Sequence, residues 1–309
     1  MCLSFLKTRS SITKNGLGLS TLSLHQYEFL DCGNGQKLER FGEVYVKRSC
    51  PTAVDWKPLL SDAVWKKADV CYSGVSGSAG NWVVYKNDGD IPEHWSVAFG
   101  SIQFSLALSE IGQLGVFPEQ KVNWEWLSKT LKSNEEVNIL NGFAYTGGST
   151  LAALSAGSGV KAVHLDAAKS SVQWAKKNCE LSGFGDRNVR FLVEDCMTFL
   201  NREIKRGNTY EGLIFDPPAF GRGPNGKVWK IGKDFPALIE MIPRLLSPSN
   251  PKCIVLSCHD TEWPSARIEE LLRKQLKSFG GVFECVDMSL VSQVGGRNLP
   301  AGSCCRVQF

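Results

Sequence analysis

Two short stretches of the chain carry residues whose types and spacing could do chemistry. The first, N-G-F-A-Y-T-G-G-S at 141–149, follows an apolar run and nearly matches the G-x-x-x-x-G-K-[ST] loop of a triphosphate site. Gly148 stands where that loop needs its lysine. The second, F-D-P-P-A-F at 215–220, places an acid at the end of an apolar run and follows it with two prolines. Asp166 and Asp195 each end a further apolar run between them. Any one of these acids alone reads best as a helix N-cap or a solvated loop residue. Four polar groups at four strand ends read as a site.

The loop also lacks G-x-G-x-x-G, which disfavours a dinucleotide whose pyrophosphate must approach the backbone at a helix start. A ligand with an adenosine and no phosphate satisfies both absences, and S-adenosylmethionine is the common one. Asn141, Phe143, Ala144, Tyr145, Thr146 and Gly147 would then shape its pocket. Asp166, about 20 residues further on, would accept hydrogen bonds from two ribose hydroxyls. Asp195 is placed to meet an adenine amino group.

On the reacting side, Pro217 and Pro218 restrict the backbone, so that Asp216 is held with little entropy left to lose. Phe220 could stack on a planar base. Arg222, Lys227, Lys230 and Lys233, with Trp229 among them, make residues 220–235 a basic, aromatic loop suited to RNA, although lysines around Gly-Pro-Asn-Gly also suit a solvated turn. Cys258 ends another apolar run and precedes His259. It reads equally as a thiolate nucleophile, activated by that histidine, and as a small buried hydrophobe.

These residues need elements to position them, and the hydrophobic period supplies the expectation. Apolar runs at 137–141, 161–166, 189–195, 210–216 and 252–258 predict strands alternating with helices, the pattern of a parallel sheet covered on both faces. Pro236 is expected in the first turn of the helix at 234–247, with Pro243 as a kink. The last two extended runs, V-F-E-C-V-D-M-S-L-V-S and S-C-C-R-V-Q-F, have no crossover helix between them and must pair antiparallel. The expected fold is therefore α/β, a Rossmann-like sheet of seven strands with an antiparallel C-terminal hairpin. Before it, residues 27–122 predict a small, mostly β domain, with hairpin turns at Asn34-Gly35 and Asp88-Gly89. The sheet domain would then span 123–309.

At these residues the chain resembles the class I methyltransferases related to the bacterial large-subunit ribosomal RNA enzymes that methylate cytosine C5 or guanine N7. The family's N-L-F-A-Y-T-G-G corresponds to 141–148, its D-P-P-x-F to 216–220, and its G-x-F-x-[DE]-Q to G-V-F-P-E-Q at 115–120. The resemblance implies S-adenosylmethionine as cofactor, Gln120 bordering it, methylation of a base in RNA, and Asp216, Pro217, Pro218, Phe220 and Cys258 as the target-side residues. No metal is implied. Gly142 replaces an apolar residue of the family, which is expected to loosen the loop, and His259 departs from the family's S-C-S segment. Because no added RNA-binding module of the PUA or THUMP type is seen, a protein or small-molecule methyltransferase and a non-catalytic RNA-binding relative remain alternatives. A nicotinamide dehydrogenase is a more distant one.

Composition bounds the rest. With 43% apolar and 21% charged residues, the chain has the make-up of a globular protein, and its net charge of +4 permits an anionic partner without demanding one. Eleven cysteines without a C-x-x-C pair predict reduced, mostly buried thiols. Residues 1–26 carry Lys7, Arg9 and Lys14, many Ser and Thr, and no acid, which is the composition of an organelle transit peptide or a disordered tail. Mitochondrion is the expected destination, with plastid or cytoplasm as alternatives. Oligomeric state is not legible.

Overall fold

The computed structural model describes residues 26–74, 79–85, 91–132, 135–223, 226–292 and 296–309. Residues 1–25 of the expected leader and the Asp88-Gly89 turn lie outside the described residues. The N-terminal part forms a five-stranded sheet in the order β1 (Tyr27–Gly33), β2 (Gln36–Phe41), β3 (Val44–Ser49), β4 (Val70–Tyr72), β5 (Trp82–Val84), with a short helix α1 (Asp62–Trp65) between β3 and β4. Asn34 and Gly35 turn β1 into β2 with φ of 52° and 74°, the left-handed pair that a two-residue hairpin requires. A separate hairpin, β6 (Trp95–Phe99) and β7 (Ile102–Leu106), follows.

After α2 (Lys121–Thr130) the chain alternates: β8 (Val137–Gly142), α3 (Gly148–Ser155), β9 (Val160–Asp166), α4 (Lys169–Leu181), β10 (Val189–Val193), α5 (Cys196–Arg206) and β11 (Gly212–Phe215). A two-stranded ribbon, β12 (Phe220–Arg222) with β13 (Val228–Lys230), precedes α6 (Ile231–Leu245), β14 (Cys253–Cys258) and α7 (Ser265–Gln275). The chain closes with β15 (Val282–Val291) and β16 (Asn298–Gln308). The large sheet runs β10-β9-β8-β11-β14-β16-β15. Only the pairings of β16 are antiparallel, so the last strand slots between β14 and β15 as the expected hairpin partner.

Alternation along the strands feeds two cores. Val137 and Ile139 of β8 and Cys253 and Val255 of β14 pack with α2, α3 and α4, whereas Leu140 and Ile254, Leu256 and Cys258 pack with α5, α6 and α7. The first of these cores also takes in Phe41, Val46, Val70, Phe104, Leu106 and Leu114, so the N-terminal strands share buried apolar surface with the large sheet. Hydrogen bonds tie the same seam: Ser105 N–H donates to Asn178 Oδ1 at 2.8 Å and Trp174 Nε1 to the Ser105 carbonyl at 2.7 Å.

Two expectations need correction. Helix α6 starts at Ile231, because Asp234 reaches back to accept the Lys230 N–H at 2.8 Å, so Pro236 lies beyond the first turn and both prolines sit inside the helix. The cysteines are not all thiols: Cys285 and Cys305, opposed across β15 and β16, form a disulfide, and the other described cysteines are free and buried. No helix among the described residues is long and apolar enough to cross a membrane.

Candidate active site

The loop after β8 is shaped by backbone. Phe143 and Tyr145 take φ of 57° and 48°, and Gly147 takes 96° as the N-cap of α3. Non-glycine residues held left-handed cost about 1–3 kcal/mol each and persist only where the surroundings over-determine them. Here the surroundings do so: Tyr145 N–H donates to Asp166 Oδ2 at 2.8 Å, Ala144 N–H to the Leu165 carbonyl at 3.0 Å, and Asn178 Nδ2 to the Thr146 carbonyl at 2.9 Å. Thr146 Oγ1 donates to the Gly115 carbonyl, which fastens the loop to the segment before α2. Asn141 Nδ2 donates to Thr150 Oγ1 beneath it. Gly142 does not loosen this loop. A Cβ there would stand 2.7 Å from Cys196 Sγ and 2.9 Å from Phe215, so the position is filled by its neighbours.

Asp166 caps the end of β9, its second oxygen accepting from Ala168 N–H at 2.8 Å. Burial raises its pKa, and the amides that bond the carboxylate pull the other way without cancelling the rise. Asp195 is the N-cap of α5, accepting from Thr198 N–H at 2.9 Å, with Lys227 Nζ 3.7 Å away. One of its oxygens is therefore committed to the helix, as any single strand-end acid would be.

The other half of the site is built from side chains. Asp216 follows the last residue of β11, and its two oxygens face two donors: Gln120 Nε2 at 2.9 Å from Oδ2, and His259 Nε2 at 3.1 Å from Oδ1. Gln120 is 4% exposed and accepts in turn from Asn123 Nδ2 at 2.6 Å. Gln120, Asn141, Phe143, Ala144, Tyr145, Thr146 and Asp216 line one concavity with Trp124 and Phe117. The structure thus brings the glycine loop and the D-P-P acid to a single cleft.

The residues around the acid divide. Phe220 is 53% exposed on the ribbon β12–β13. Trp229, paired with Gly221 across the ribbon, is 6% exposed; its ring packs on Phe143 at 4.8 Å and its Nε1 donates to the Pro218 carbonyl at 2.7 Å. It is thus a support for the loop and not a free stacking surface, and Phe235 is fully buried as well. Cys258 is 0% exposed within the second core, and burial pushes its thiol up to about 11. Of the two readings of Cys258, burial favours the small hydrophobe over the thiolate. His259 turns to Asp216 and not to that thiol. Glu119, Asn123 and the His259 contact were missed by sequence reasoning; the pairing of Phe215 with Leu256, which sets the ends of β11 and β14 side by side, is what brings His259 to Asp216.

The strand order, the antiparallel last strand and a cleft that joins a lysine-free glycine loop to a strand-end carboxylate define a class I methyltransferase. The chain belongs to the S-adenosylmethionine-dependent methyltransferase family, which matches residues 71–276. It is similar to the crystal structure of an S-adenosylmethionine-dependent methyltransferase from Agrobacterium tumefaciens, with a TM-score of 0.84 and 32% identity over 92% of this chain and 90% of that one. It is also 27% identical to ribosomal RNA large subunit methyltransferase K/L of Magnetococcus marinus over 49% of this chain and 20% of that protein. With ribosomal RNA large subunit methyltransferase I of Aeromonas salmonicida it shares 29% identity over 34% of this chain and 26% of the relative. The matched part spans about a fifth to a quarter of these curated relatives.

The residues present fit the family's cofactor by the chemistry of their donors and acceptors. Asp166 offers a carboxylate at the end of β9, and residues 141–149 supply backbone and apolar walls with no cationic side chain for a phosphate. Bound there, S-adenosylmethionine would supply an electrophilic methyl on its sulfonium.

Proposed function

We propose that the protein methylates a base in RNA, with Asp166 and the 141–148 loop holding the cofactor and Asp216 to Phe220 holding the target. The observation that carries this reading is the pinned Asp216 carboxylate. Fixed from two sides by Gln120 and His259, it keeps spare lone pairs for an N–H of the target base. Pro217 and Pro218 hold the chain beyond it, and the exposed Phe220 ring offers a face on which a splayed base can stack. Arg222 and Lys227 on the ribbon suit the adjoining phosphates. In-line displacement at a sulfonium methyl needs little beyond alignment, and positioning of this kind supplies the rate.

The burial of Cys258 favours a ring or exocyclic nitrogen over cytosine C5 as the acceptor, because a pyrimidine carbon needs a thiolate to make it nucleophilic and a base nitrogen does not. The relatives named for ribosomal RNA support the choice of RNA. The test is incubation of the purified chain with methyl-labelled cofactor and ribosomal RNA, followed by nuclease digestion and identification of the labelled nucleoside. A methylated base nitrogen, absent with Asp216→Ala, is the expected result. Label on protein would replace RNA with a protein substrate, and RNA binding without label would make the chain a non-catalytic binder.

A further inference from the structure

We propose that His259 is a positioning residue: a charged imidazolium, seated between Asp216, Glu119 and the carbonyl of Ala301, that fixes the Asp216 carboxylate as the acceptor for the target. The role in transfer rests on the reading of Asp216 given above. The charge rests on geometry alone. Nε2 lies 3.1 Å from Asp216 Oδ1 and Nδ1 lies 2.9 Å from the Ala301 carbonyl oxygen. Both partners only accept. A neutral imidazole has one N–H and one lone pair and would set the lone pair against an oxygen, whereas an imidazolium donates to both.

The surroundings agree on sign. Asp216 comes from the end of β11, Glu119 Oε1 from the turn before α2 lies 3.9 Å from Nδ1, and Asp260 follows in the same loop. The Phe117 ring centroid is 6.3 Å from that of His259 and 5.1 Å from that of Tyr145. On the β16 side stand Ala301, Gly302 and, further in, the Cys304 thiol, which bonds Asn123. Burial opposes the charge, but the Asp216 and Glu119 carboxylates and the Ala301 carbonyl outweigh it and raise the imidazole to about 9. The side chain is 31% exposed, so solvent screens part of that effect.

A second feature shows that the seat is shaped for the ring. Gly302 has φ of +112°, and a Cβ on it would stand 2.6 Å from the Cys258 carbonyl oxygen and 3.0 Å from His259 Nδ1. Glycine at this point of β16 lets the strand close on the histidine. With His259 on Oδ1 and Gln120, itself held by Asn123, on Oδ2, the plane of the Asp216 carboxylate is fixed by donors from two separate segments. A loosened carboxylate would leave the target misaligned with the methyl, and misplacement on the scale of 1 Å costs about a hundredfold in rate.

Two measurements test this. In the full chain labelled with 15N-histidine, with the His259→Gln spectrum for assignment, both His259 nitrogens should remain protonated at pH 7.5 and titrate near 9. In Asp216→Asn the titration should move well down. An unprotonated His259 nitrogen at pH 7.5 would overturn the charge, whether or not the protein methylates RNA. In the labelled-cofactor assay with ribosomal RNA, His259→Gln and Gly302→Ala should each lower kcat about a hundredfold and leave cofactor affinity within about twofold, and His259→Gln should abolish the alkaline limb of the wild-type pH profile. A His259→Gln protein with wild-type kcat and the same alkaline limb would overturn the positioning role. Absence of transfer by wild type would count against the RNA reading instead, with the spectroscopic result still standing.

Discussion

The two walls of the cleft are made by different means. Around the 141–148 loop, the proposed cofactor side, the working surface is backbone, left-handed at Phe143, Tyr145 and Gly147 and tied down by hydrogen bonds to residues at most a few tens of positions away, such as Asp166. Around Asp216, the proposed target side, it is side chains: Asp216 is met by Gln120 from 96 residues earlier and by His259 from 43 residues later, and His259 by Ala301 from 42 residues beyond that. A backbone wall can be written as a contiguous motif. A side-chain wall depends on the whole sheet being in register.

The largest expected effect separates the walls outright. Asp216→Ala should lower turnover by about a hundredfold to a thousandfold with cofactor affinity nearly kept. Asp166→Ala should do the reverse, weakening cofactor binding by about tenfold to a hundredfold, the worth of hydrogen bonds to a charged acceptor. Calorimetric titration with S-adenosylmethionine and its demethylated product, beside single-turnover transfer, would break the comparison if both variants lost the same quantity.

A second test concerns the backbone wall alone. A Cβ on Gly148 would stand 2.5 Å from the Trp124 ring. Gly148→Ala should therefore destabilise the fold by about 1–3 kcal/mol through overpacking and lower cofactor affinity along with it, read as a fall in Tm and a rise in Kd. Unchanged values would mean that the loop is plastic.

Stability against pH sharpens the target side. The His259 pKa is raised from 6.5 to about 9 on folding, so its contribution is fully present below 6.5 and disappears as pH rises to about 9. Thermal melts across this window should show an alkaline decline in wild type that His259→Gln lacks. The smallest effect is expected at Cys258: Cys258→Ala should leave turnover unchanged and cost about 1–2 kcal/mol of stability, since the thiol only fills space. A large loss of turnover in a folded variant would restore it as a nucleophile.

This asymmetry also explains what the sequence disclosed. The alternation of strands and helices, the antiparallel end, and Asp166 and Asp216 at strand tips were legible because period and turn chemistry are local. Gln120 was legible only through its motif, and the structure bonds it to Asp216. His259 was read against Cys258, its neighbour in sequence, because along a strand adjacent side chains point to opposite faces and nothing local says which face looks into the cleft. Trp229 looked like a stacking surface for the same reason, since burial under a ribbon is a tertiary fact.

The placement of β16 has a consequence for the newborn protein. Strands β8 to β11 and the loop after β8 are synthesised early and can pair with one another in parallel. The segment that seats His259 belongs to the strand inserted last, between β14 and β15. While that strand is still in the ribosomal tunnel, a chain can have a cofactor loop but no aligned Asp216. A chain cut before residue 298 should thus bind the cofactor better than it uses it.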